Sequence, residues 1–334
     1  MFDHYIALDW AQSNMAIGRM TKESSQVKVI NVPAKLEELK LYLGRLKGKK
    51  ILTFEETTTS QWLYVELKDH IDSILICDPY RNALLSEGAK TDELDAEKLA
   101  RLLKANMLKP VFHSGDELIN LRKIESGYED MVKAGVRLKN QRSALFRAQG
   151  KAKRKEVLED AASLFVIQGL DKQIESYELE KKRYETKMES CRKKHFVMQC
   201  LDQIPGIGLM GALKIAARVV DPKRFLDQGH WLSYCGLVRC EKQSGGVSYG
   251  WRMPRYCRTL KSVFKTAAIS VIISRGKNNP LKDYYEYLVN EKRYAEHNAR
   301  HALARRIAVV AWGVMKSGKA YEAKRITKEK IIAT

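Results

Sequence analysis

Two acidic residues near the start of the sequence have the type and position expected of metal ligands. Asp9 lies in the segment YIALDW, and Glu55 ends the segment KILTFE. The other residues of both segments are suited to buried β-strands. Burying an unpaired carboxylate is costly, and a divalent cation or a basic partner beside it offsets that cost. We therefore interpret Asp9 and Glu55 as candidate ligands of a divalent cation, with a solvated strand end as the alternative.

A second pair of acids, Asp92 and Asp95, opens an apolar-periodic run at residues 90–103. The simpler explanation is helix capping, because Thr91 or Asp92 can cap an N-terminus and acids in the first turn complement the helix dipole. Capping does not explain why Asp92 and Asp95, which are three residues apart, present their side chains on one helix face. Four acids in the order strand, strand, helix, helix favour a shared site for chemistry with a metal ion.

The elements that must position these acids are readable from apolar periodicity. The predicted strands are 5–10, 14–20, 26–32, 50–55 and 73–78, and the predicted helices are 36–46 and 62–68. Three consecutive hairpin strands followed by alternating helices and strands is the element order of an α/β domain with a ribonuclease-H-like fold. We expect this domain to span residues 1–115.

Charge is distributed unevenly over the 334 residues. Residues 1–115 contain 16 Lys and Arg and 16 Asp and Glu, whereas residues 116–334 contain 44 basic and 24 acidic residues. All of the net charge of +20 therefore lies in the second part. A polycation of this kind indicates a polyanionic partner, and nucleic acid fits better than an anionic membrane surface.

Several classes of protein are disfavoured by the sequence. No apolar run reaches the roughly 18 to 20 residues that a membrane span needs. The first residues lack the basic and apolar regions of a signal peptide, so we expect a cytoplasmic protein. The six cysteines form no C-x-x-C pair, which argues against a zinc ribbon and a disulfide framework.

Residues 116–200 are charged and helix-prone, and they predict two antiparallel helices or a coiled-coil arm. Residues 201–334 are expected to form a compact basic unit. Within it, IPGIG at residues 204–208 resembles a helix-hairpin-helix, in which Gly206 and Gly208 let the backbone approach a phosphate. A structural tight turn between packed helices is the alternative explanation.

A series of basic residues in the same unit recurs at helical spacing. The residues are Arg252, Arg255, Arg258 and Lys261, followed by Lys265. With Pro254 in the first turn of a helix, they would form one basic stripe, and like charges without acids between them favour contact with phosphates. A solvated helix face is the alternative.

The motifs in combination resemble a known family. The segments IALDWA, FEET, DPY and KTDELDAEKLA are followed by IPGIG, YCGLV and SGG, and the resemblance that they carry extends over nearly the whole chain. This series is similar to the DEDD-type transposases of the IS110 insertion-sequence family, relatives of the Piv DNA invertase. The resemblance implies a RuvC-like ribonuclease-H domain, a coiled-coil arm and a mainly α-helical C-terminal transposase domain.

The resemblance also implies roles for individual residues. It assigns Mg²⁺ or Mn²⁺ to Asp9, Glu55, Asp92 and Asp95, and it prefers Glu55 because the family's acid comes first in the motif that here reads EETT. Glu56 remains the alternative ligand. Side-chain alternation along a strand means that only one of these two neighbours can reach the site.

Ser244 lies in the glycine-rich segment CEKQSGGVSYG, where a serine is ordinarily a turn residue. The resemblance makes Ser244 the catalytic nucleophile, with Ser248 as the second choice. No histidine lies nearby in sequence to act as its base, so activation would come from the metal site or from a basic residue brought in by folding.

The sequence therefore predicts a DNA transposase or site-specific recombinase. By resemblance, its partners are DNA and a noncoding bridge RNA, and it acts as a homodimer or homotetramer. One alternative is a metal-dependent nuclease or junction resolvase that uses water as the nucleophile. The other is a non-catalytic nucleic-acid-binding regulator.

Overall fold

The structure is a computed structural model that describes residues 1–80, 91–151, 160–275 and 279–323. The chain folds as two compact units, one comprising Met1–Asp116 and the other beginning at Glu117. The first unit is α/β and the second is mainly helical.

The first unit is built on a five-stranded mixed sheet. Its strands are β1 (His4–Trp10), β2 (Asn14–Thr21), β3 (Lys28–Pro33), β4 (Lys50–Glu55) and β5 (Ser73–Cys77). Their order is β3-β2-β1-β4-β5, with β1, β2 and β3 antiparallel and β1, β4 and β5 parallel. The described helices of this unit are α1 (Leu36–Arg45), α2 (Ser60–Leu67) and α3 (Asp92–Lys104). The strands and helices predicted before residue 80 are confirmed to within about two residues at each end.

Both faces of this sheet are covered by helices. On one face, Leu8 and Phe54 pack with residues of α1 and α2 in one apolar cluster. On the other face, Ala7 and Cys77 pack with Leu99 of α3 in a second cluster. Because successive strand side chains point to opposite faces, the two clusters define which face each remaining strand residue occupies.

Two long helices begin the second unit. They are α4 (Leu121–Ala148) and α5 (Ala161–Lys194), which at 1.5 Å per residue are about 42 and 51 Å long. Tyr128 meets Tyr184 near one end of the pair, and Arg142 pairs with Asp171 toward the other. The helices are therefore antiparallel, as one of the two predictions for this region had it, and coiled-coil geometry stays a prediction.

In its described part, the rest of the second unit is a helical cluster with one hairpin. Its elements are α6 (Phe196–Asp202), α7 (Gly208–Val219), α8 (Gln228–Tyr234), β6 (Cys240–Ser244), β7 (Val247–Arg252), α9 (Arg258–Ile273), α10 (Pro280–Asn290) and α11 (Glu296–Ser317). Trp231 is fully buried at its centre and donates its indole N–H to the Ala308 carbonyl. The start of α4 packs on α7, where Glu125 accepts from Arg218. The predicted division at residue 200 stays a prediction.

None of the helices in the described ranges combines the length and the apolar character that a membrane span requires.

Candidate functional site

The first two candidate metal ligands lie at one edge of the sheet. β1 and β4 are parallel neighbours, and Leu8 of β1 is paired with Phe54 of β4. Asp9 and Glu55 each follow one residue later on these strands. Because the strands run in the same direction, both acids lie at the carboxyl edge of the sheet.

The same two acids face the side of the sheet that α3 covers. Leu8 and Phe54 belong to the cluster on the α1 and α2 side. Alternation along each strand directs Asp9 and Glu55 to the opposite side. The sheet therefore positions both carboxylates on the face that carries the other two candidate ligands.

Asp92 and Asp95 extend the sheet-facing stripe of α3 toward its N-terminus. Leu99 and Ala100 of this helix are buried on the sheet, and Asp92, Asp95 and Ala96 precede them at spacings of three and four. Residues at these spacings share one helix face. Asp95 is half-buried and Asp92 is exposed.

The direction of α3 brings its N-terminus to the edge where Asp9 lies. At its other end, Lys104 donates hydrogen bonds to the carbonyls of Thr21 (2.9 Å) and Ser24 (2.8 Å). Thr21 is paired with His4, the first residue of β1. The helix therefore ends beside the beginning of β1 and begins toward the end of that strand.

Thr91, and not Asp92, caps this helix. The Thr91 Oγ1 accepts a hydrogen bond from the Leu94 amide at 3.3 Å. The cap itself is therefore a threonine, while Asp92 and Asp95 lie in the first turn, where carboxylates also complement the helix dipole.

The four acids have the donor chemistry of a divalent-cation site, since oxygen ligands suit Mg²⁺ and Mn²⁺. They share one face and one edge of the sheet. Among the residues that the structure describes, however, no three His, Cys, Asp or Glu side chains stand close enough together to hold a metal ion. Closer approach of these side chains would be needed for binding, and their assignment as ligands stays a prediction.

The alternative ligand, Glu56, has a different neighbour. Its Oε1 lies 3.8 Å from Nε2 of His113. The Nδ1 of His113 is in turn 2.9 Å from Oε1 of Gln61, a residue of α2. Glu56 is thus associated with the α2 side of the sheet, opposite the face that α3 covers.

Ser244 is the last residue of the first strand of an exposed β-hairpin. It is paired with Val247, and Gly245 and Gly246 form the two-residue turn between them. Both glycines have positive φ, 57° and 78°, which is the backbone of a type I′ turn. We expected the turn but not the two strands. A Gly-Gly pair between short alternating segments was the signal that predicts a hairpin.

The hairpin contains a bulge, which lies farther from the turn than the two candidate serines. The pairing shifts between Glu241 and Gln243, so that two residues of β7 stand opposite one residue of β6. Gln243 pairs with Ser248 and is the neighbour of Ser244 on β6. Cross-strand partners share a face and successive residues alternate, so Ser244 and Ser248 lie on opposite faces.

The two glycines of the IPGIG segment are explained differently. Gly206 has a φ of 87°, and a β-carbon there would lie 2.4 Å from the carbonyl oxygen of Ala267 in α9. Gly206 is therefore required for close packing, as the tight-turn explanation states. Gly208 also has positive φ, but it is exposed and its β-carbon position is open at the N-terminus of α7.

The expected helical stripe that included Arg252 and Arg255 was wrong. Arg252 lies in β7, where it is paired with Cys240. Helix α9 begins only at Arg258, so Pro254 precedes the helix. Cross-strand pairing keeps the segment around Arg252 extended. Such pairing is not visible in the local spacing of charges. Of the five basic residues of the expected stripe, Arg258, Lys261 and Lys265 lie on α9.

A basic groove beside the hairpin contains residues that the motif analysis missed. On α11, His297, His301 and Arg305 line it at intervals of four residues. That spacing marks one helix face and could have been read from the sequence. The opposing wall comes from elements distant in sequence, and only folding brings the two together.

Comparison with known proteins supports the motif analysis. Residues 6–148 match the family model described as "Transposase", of the DEDD type. Residues 198–286 match the model described as "Transposase IS116/IS110/IS902 family". The first match includes the four acids, and the second includes Ser244.

A curated relative from Sinorhizobium fredii (strain NBRC 101917 / NGR234), named "Putative transposase y4pF/y4sB", is 27% identical over 139 residues. The alignment covers 40% of this chain and 35% of that relative, so the chain spans about a third of the relative's length. The two family matches together cover more than half of the sequence and confirm the resemblance. This chain belongs to the IS110 family of transposases.

Proposed function

We propose that this protein is a DNA transposase or site-specific recombinase that cuts and rejoins DNA by phosphoryl transfer. The observation that carries the proposal is that family models match both the unit with the four acids and the unit with Ser244. The common face and edge of the acids support it further.

In this proposal, Asp9, Glu55, Asp92 and Asp95 hold Mg²⁺ or Mn²⁺. A bound divalent cation would polarise a phosphoryl oxygen and stabilise its developing negative charge. The chain's own contribution is to present four carboxylates from two strand ends and one helix. Glu55 is preferred over Glu56 because strand alternation directs it to the side of α3.

Ser244 is the proposed nucleophile. Its Oγ attacks a DNA phosphorus atom and forms a serine phosphodiester, while the bond from phosphorus to one deoxyribose oxygen breaks. The serine hydroxyl loses its proton, and the released oxygen gains one. Attack by a second strand's hydroxyl on the serine phosphodiester rejoins DNA and restores the serine. Exposure at a turn of two glycines supports access of a phosphodiester to Ser244.

The partners follow from charge and from family resemblance. The second unit carries the excess of basic residues and is the proposed nucleic-acid-binding part, including Gly208, Arg252, Arg255, Arg258 and Lys261. A bridge RNA and a homodimer or homotetramer are proposed by resemblance to the family.

Trapping of a covalent adduct tests this function. The purified protein, with any RNA that copurifies, is incubated with DNA carrying the joined ends of its own insertion element and Mg²⁺. The products are separated by denaturing electrophoresis. We expect a protein–DNA adduct that Ser244→Ala abolishes and Ser248→Ala, on the opposite face of the hairpin, retains.

The other outcomes identify the alternatives. Cleavage without an adduct, and unchanged by Ser244→Ala, would show a metal-dependent nuclease or resolvase that uses water. Binding without any cleavage would show a regulator. An adduct that Ser248→Ala removes would move the nucleophile to the other face of the hairpin.

A further inference from the structure

The basic groove in the second unit has a volume of about 1020 Å³. It lies between α9, α11, the loop that joins α10 to α11, and the base of the β6–β7 hairpin. Among the lining residues that the structure describes, five carry a full positive charge: Arg239, Lys261, Lys265, Arg293 and Arg305. No Asp or Glu of the described ranges lines the groove.

These five charges have no carboxylate partners within the described part of the second unit. None of them takes part in an ion pair there, although Lys261 lies over the Tyr256 ring at 4.4 Å. Elsewhere in the same unit, several basic residues are paired with carboxylates, as Arg218 is with the buried Glu125. Like charges gathered without counter-charges repel one another, so the groove is suited to an anion with several charges.

Arg293 adds a second observation that points to a ligand. It has a φ of 55°, in the left-handed region that favours glycine. It follows the end of α10, and the next residue, Tyr294, donates its amide to the Leu288 carbonyl at 2.9 Å. An arginine at this position retains backbone strain and places a cation at the groove. Such strain is found where a side chain serves binding or catalysis.

Two aromatic side chains on the groove walls favour an unpaired strand over a duplex. Trp251 is 63% exposed and Tyr294 is 47% exposed. Stacking of an exposed aromatic ring on a base contributes favourable binding free energy. An unpaired base can present its face to the ring, whereas the bases of a duplex already stack on one another. Cations that follow a backbone beside aromatic platforms are the usual construction of single-strand sites.

We propose that this groove binds an unpaired segment of nucleic acid, with Trp251 and Tyr294 stacking on bases and Arg293 and its four basic neighbours contacting phosphates. The inference rests on the proposed function only in taking nucleic acid as the polyanion. It assigns a site on the transposase that is distinct from the four acids and from Ser244.

Fluorescence anisotropy with labelled oligonucleotides tests the stacking role in the full-length protein. The probes are 20-nucleotide single strands of DNA and of RNA, and the blunt DNA duplex of the same sequence. We expect Trp251→Ala to weaken single-strand affinity at least about fivefold and duplex affinity less than about twofold. Trp251→Phe should restore most of the loss.

Tyr249→Ala is the matched control. Tyr249 lies in the same strand and is 68% exposed, but it does not line the groove. We expect it to leave single-strand affinity unchanged. An equal loss with Tyr249→Ala, or an equal loss for single strand and duplex with Trp251→Ala, would overturn the stacking site.

Arg293→Gly tests the phosphate contacts. It removes one charge and relieves the backbone, so the protein should melt at the same or a higher temperature while single-strand affinity falls. The salt dependence of log affinity should flatten by about 0.7. Lys292→Ala, which removes a neighbouring charge outside the groove, should leave the affinity nearly unchanged.

Failure of this inference and failure of the proposed function are distinguishable. If single-strand affinity survives Trp251→Ala and Arg293→Gly while the Ser244 adduct still forms, the groove assignment is wrong and the transposase stands. If single-strand affinity falls as expected but no adduct forms, the groove is a binding site and the proposed chemistry is wrong.

Discussion

A β-carbon on Gly18 would lie 2.5 Å from the carbonyl oxygen of Ala96, closer than any real contact permits. Gly18 pairs with Ala7 in the centre of the sheet, and Ala96 directly follows Asp95 in α3. Small residues on both surfaces thus let the helix lie on the strands. The distance between α3 and the sheet therefore determines how closely Asp92 and Asp95 approach Asp9 at the carboxyl edge of the sheet.

Gly18→Ala should therefore destabilise the first unit and reduce DNA cleavage together. Forcing an extra methyl group into a closed contact costs about 1 to 3 kcal/mol, and the helix that carries Asp92 and Asp95 must move outward. Denaturant unfolding and a cleavage assay measure the two effects. Gly44→Ala, in α1 with open space at its β-carbon, is the control and should be neutral or stabilising by up to about 1 kcal/mol. Unchanged stability of Gly18→Ala would contradict the close contact.

The buried ion pair between α4 and α7 predicts a large loss of stability. Glu125 has no exposed surface, and its Oε2 accepts from Nε (2.9 Å) and Nη2 (2.8 Å) of Arg218. Removing one member of a buried pair leaves an uncompensated charge, so Arg218→Ala should lower the free energy of unfolding by about 3 to 5 kcal/mol. Thermal and denaturant unfolding measure this, and the double variant Glu125→Leu with Arg218→Met should lose less.

The stability lost by Arg218→Ala should depend on pH, which provides a separate test of the buried ion pair. Burial raises the pKa of Glu125, and Arg218 opposes that rise. A carboxyl with a raised folded pKa contributes most stability below its unfolded pKa, near 4.5, and less as pH rises through the folded value. Without Arg218 the pKa of Glu125 rises further, so the loss of stability should be smaller at pH about 5 than at pH about 8. If the stability lost by Arg218→Ala does not depend on pH, the charge of Glu125 is not the cause of that loss.

His301 in the basic groove predicts opposite pH effects on stability and on binding. Burial comes first among the causes that lower its pKa from 6.5, followed by the positive charges of Lys265, Arg305, Lys261 and Arg239. The unfolded chain then binds more protons than the folded protein as pH falls below 6.5. Stability should therefore decrease as pH falls from 6.5 toward the lowered pKa.

A bound phosphate reverses the effect at His301, because an anion favours the protonated imidazole. Affinity for a single-stranded oligonucleotide should therefore increase as the pH falls from about 7.5 to about 5.5. Anisotropy titrations and thermal melts across this range test both trends. His301→Gln should flatten them, whereas His70→Gln, at an exposed position in the first unit, should not. The prediction fails if affinity decreases with falling pH.

Variants at the two ends of the proposed site should complement each other. About 150 residues of sequence separate Asp95 from Ser244, and a long antiparallel helix pair lies between them in the chain. We expect Ser244→Ala and Asp9→Ala each to be inactive alone and to recover part of the cleavage when mixed. An intact serine from one chain then acts with intact acids from another.

Both of these single variants should still bind nucleic acid, which serves as the control for folding. Cleavage is measured after the purified variants are mixed and the formation of mixed oligomers is verified. If mixed oligomers form and cleavage does not return, the site is built within one chain.

Local pattern determined much of the first unit. Alternating and helical apolar spacing predicted the described strands and helices before residue 80, because periods of 2 and 3.6 residues follow from backbone geometry. The unequal charge of the two parts of the chain and the four acids in their order were likewise readable from residue types alone.

Tertiary structure alone decided which surfaces meet. The sequence identified Ser244 and Ser248 as serines near a turn, but the cross-strand register places them on opposite faces. Charge spacing suggested one basic helix, whereas pairing of Arg252 with Cys240 removed that residue from it. The groove joins side chains from Arg239 to Arg305, and such long-range contacts depend on how separate elements pack, which no local period encodes.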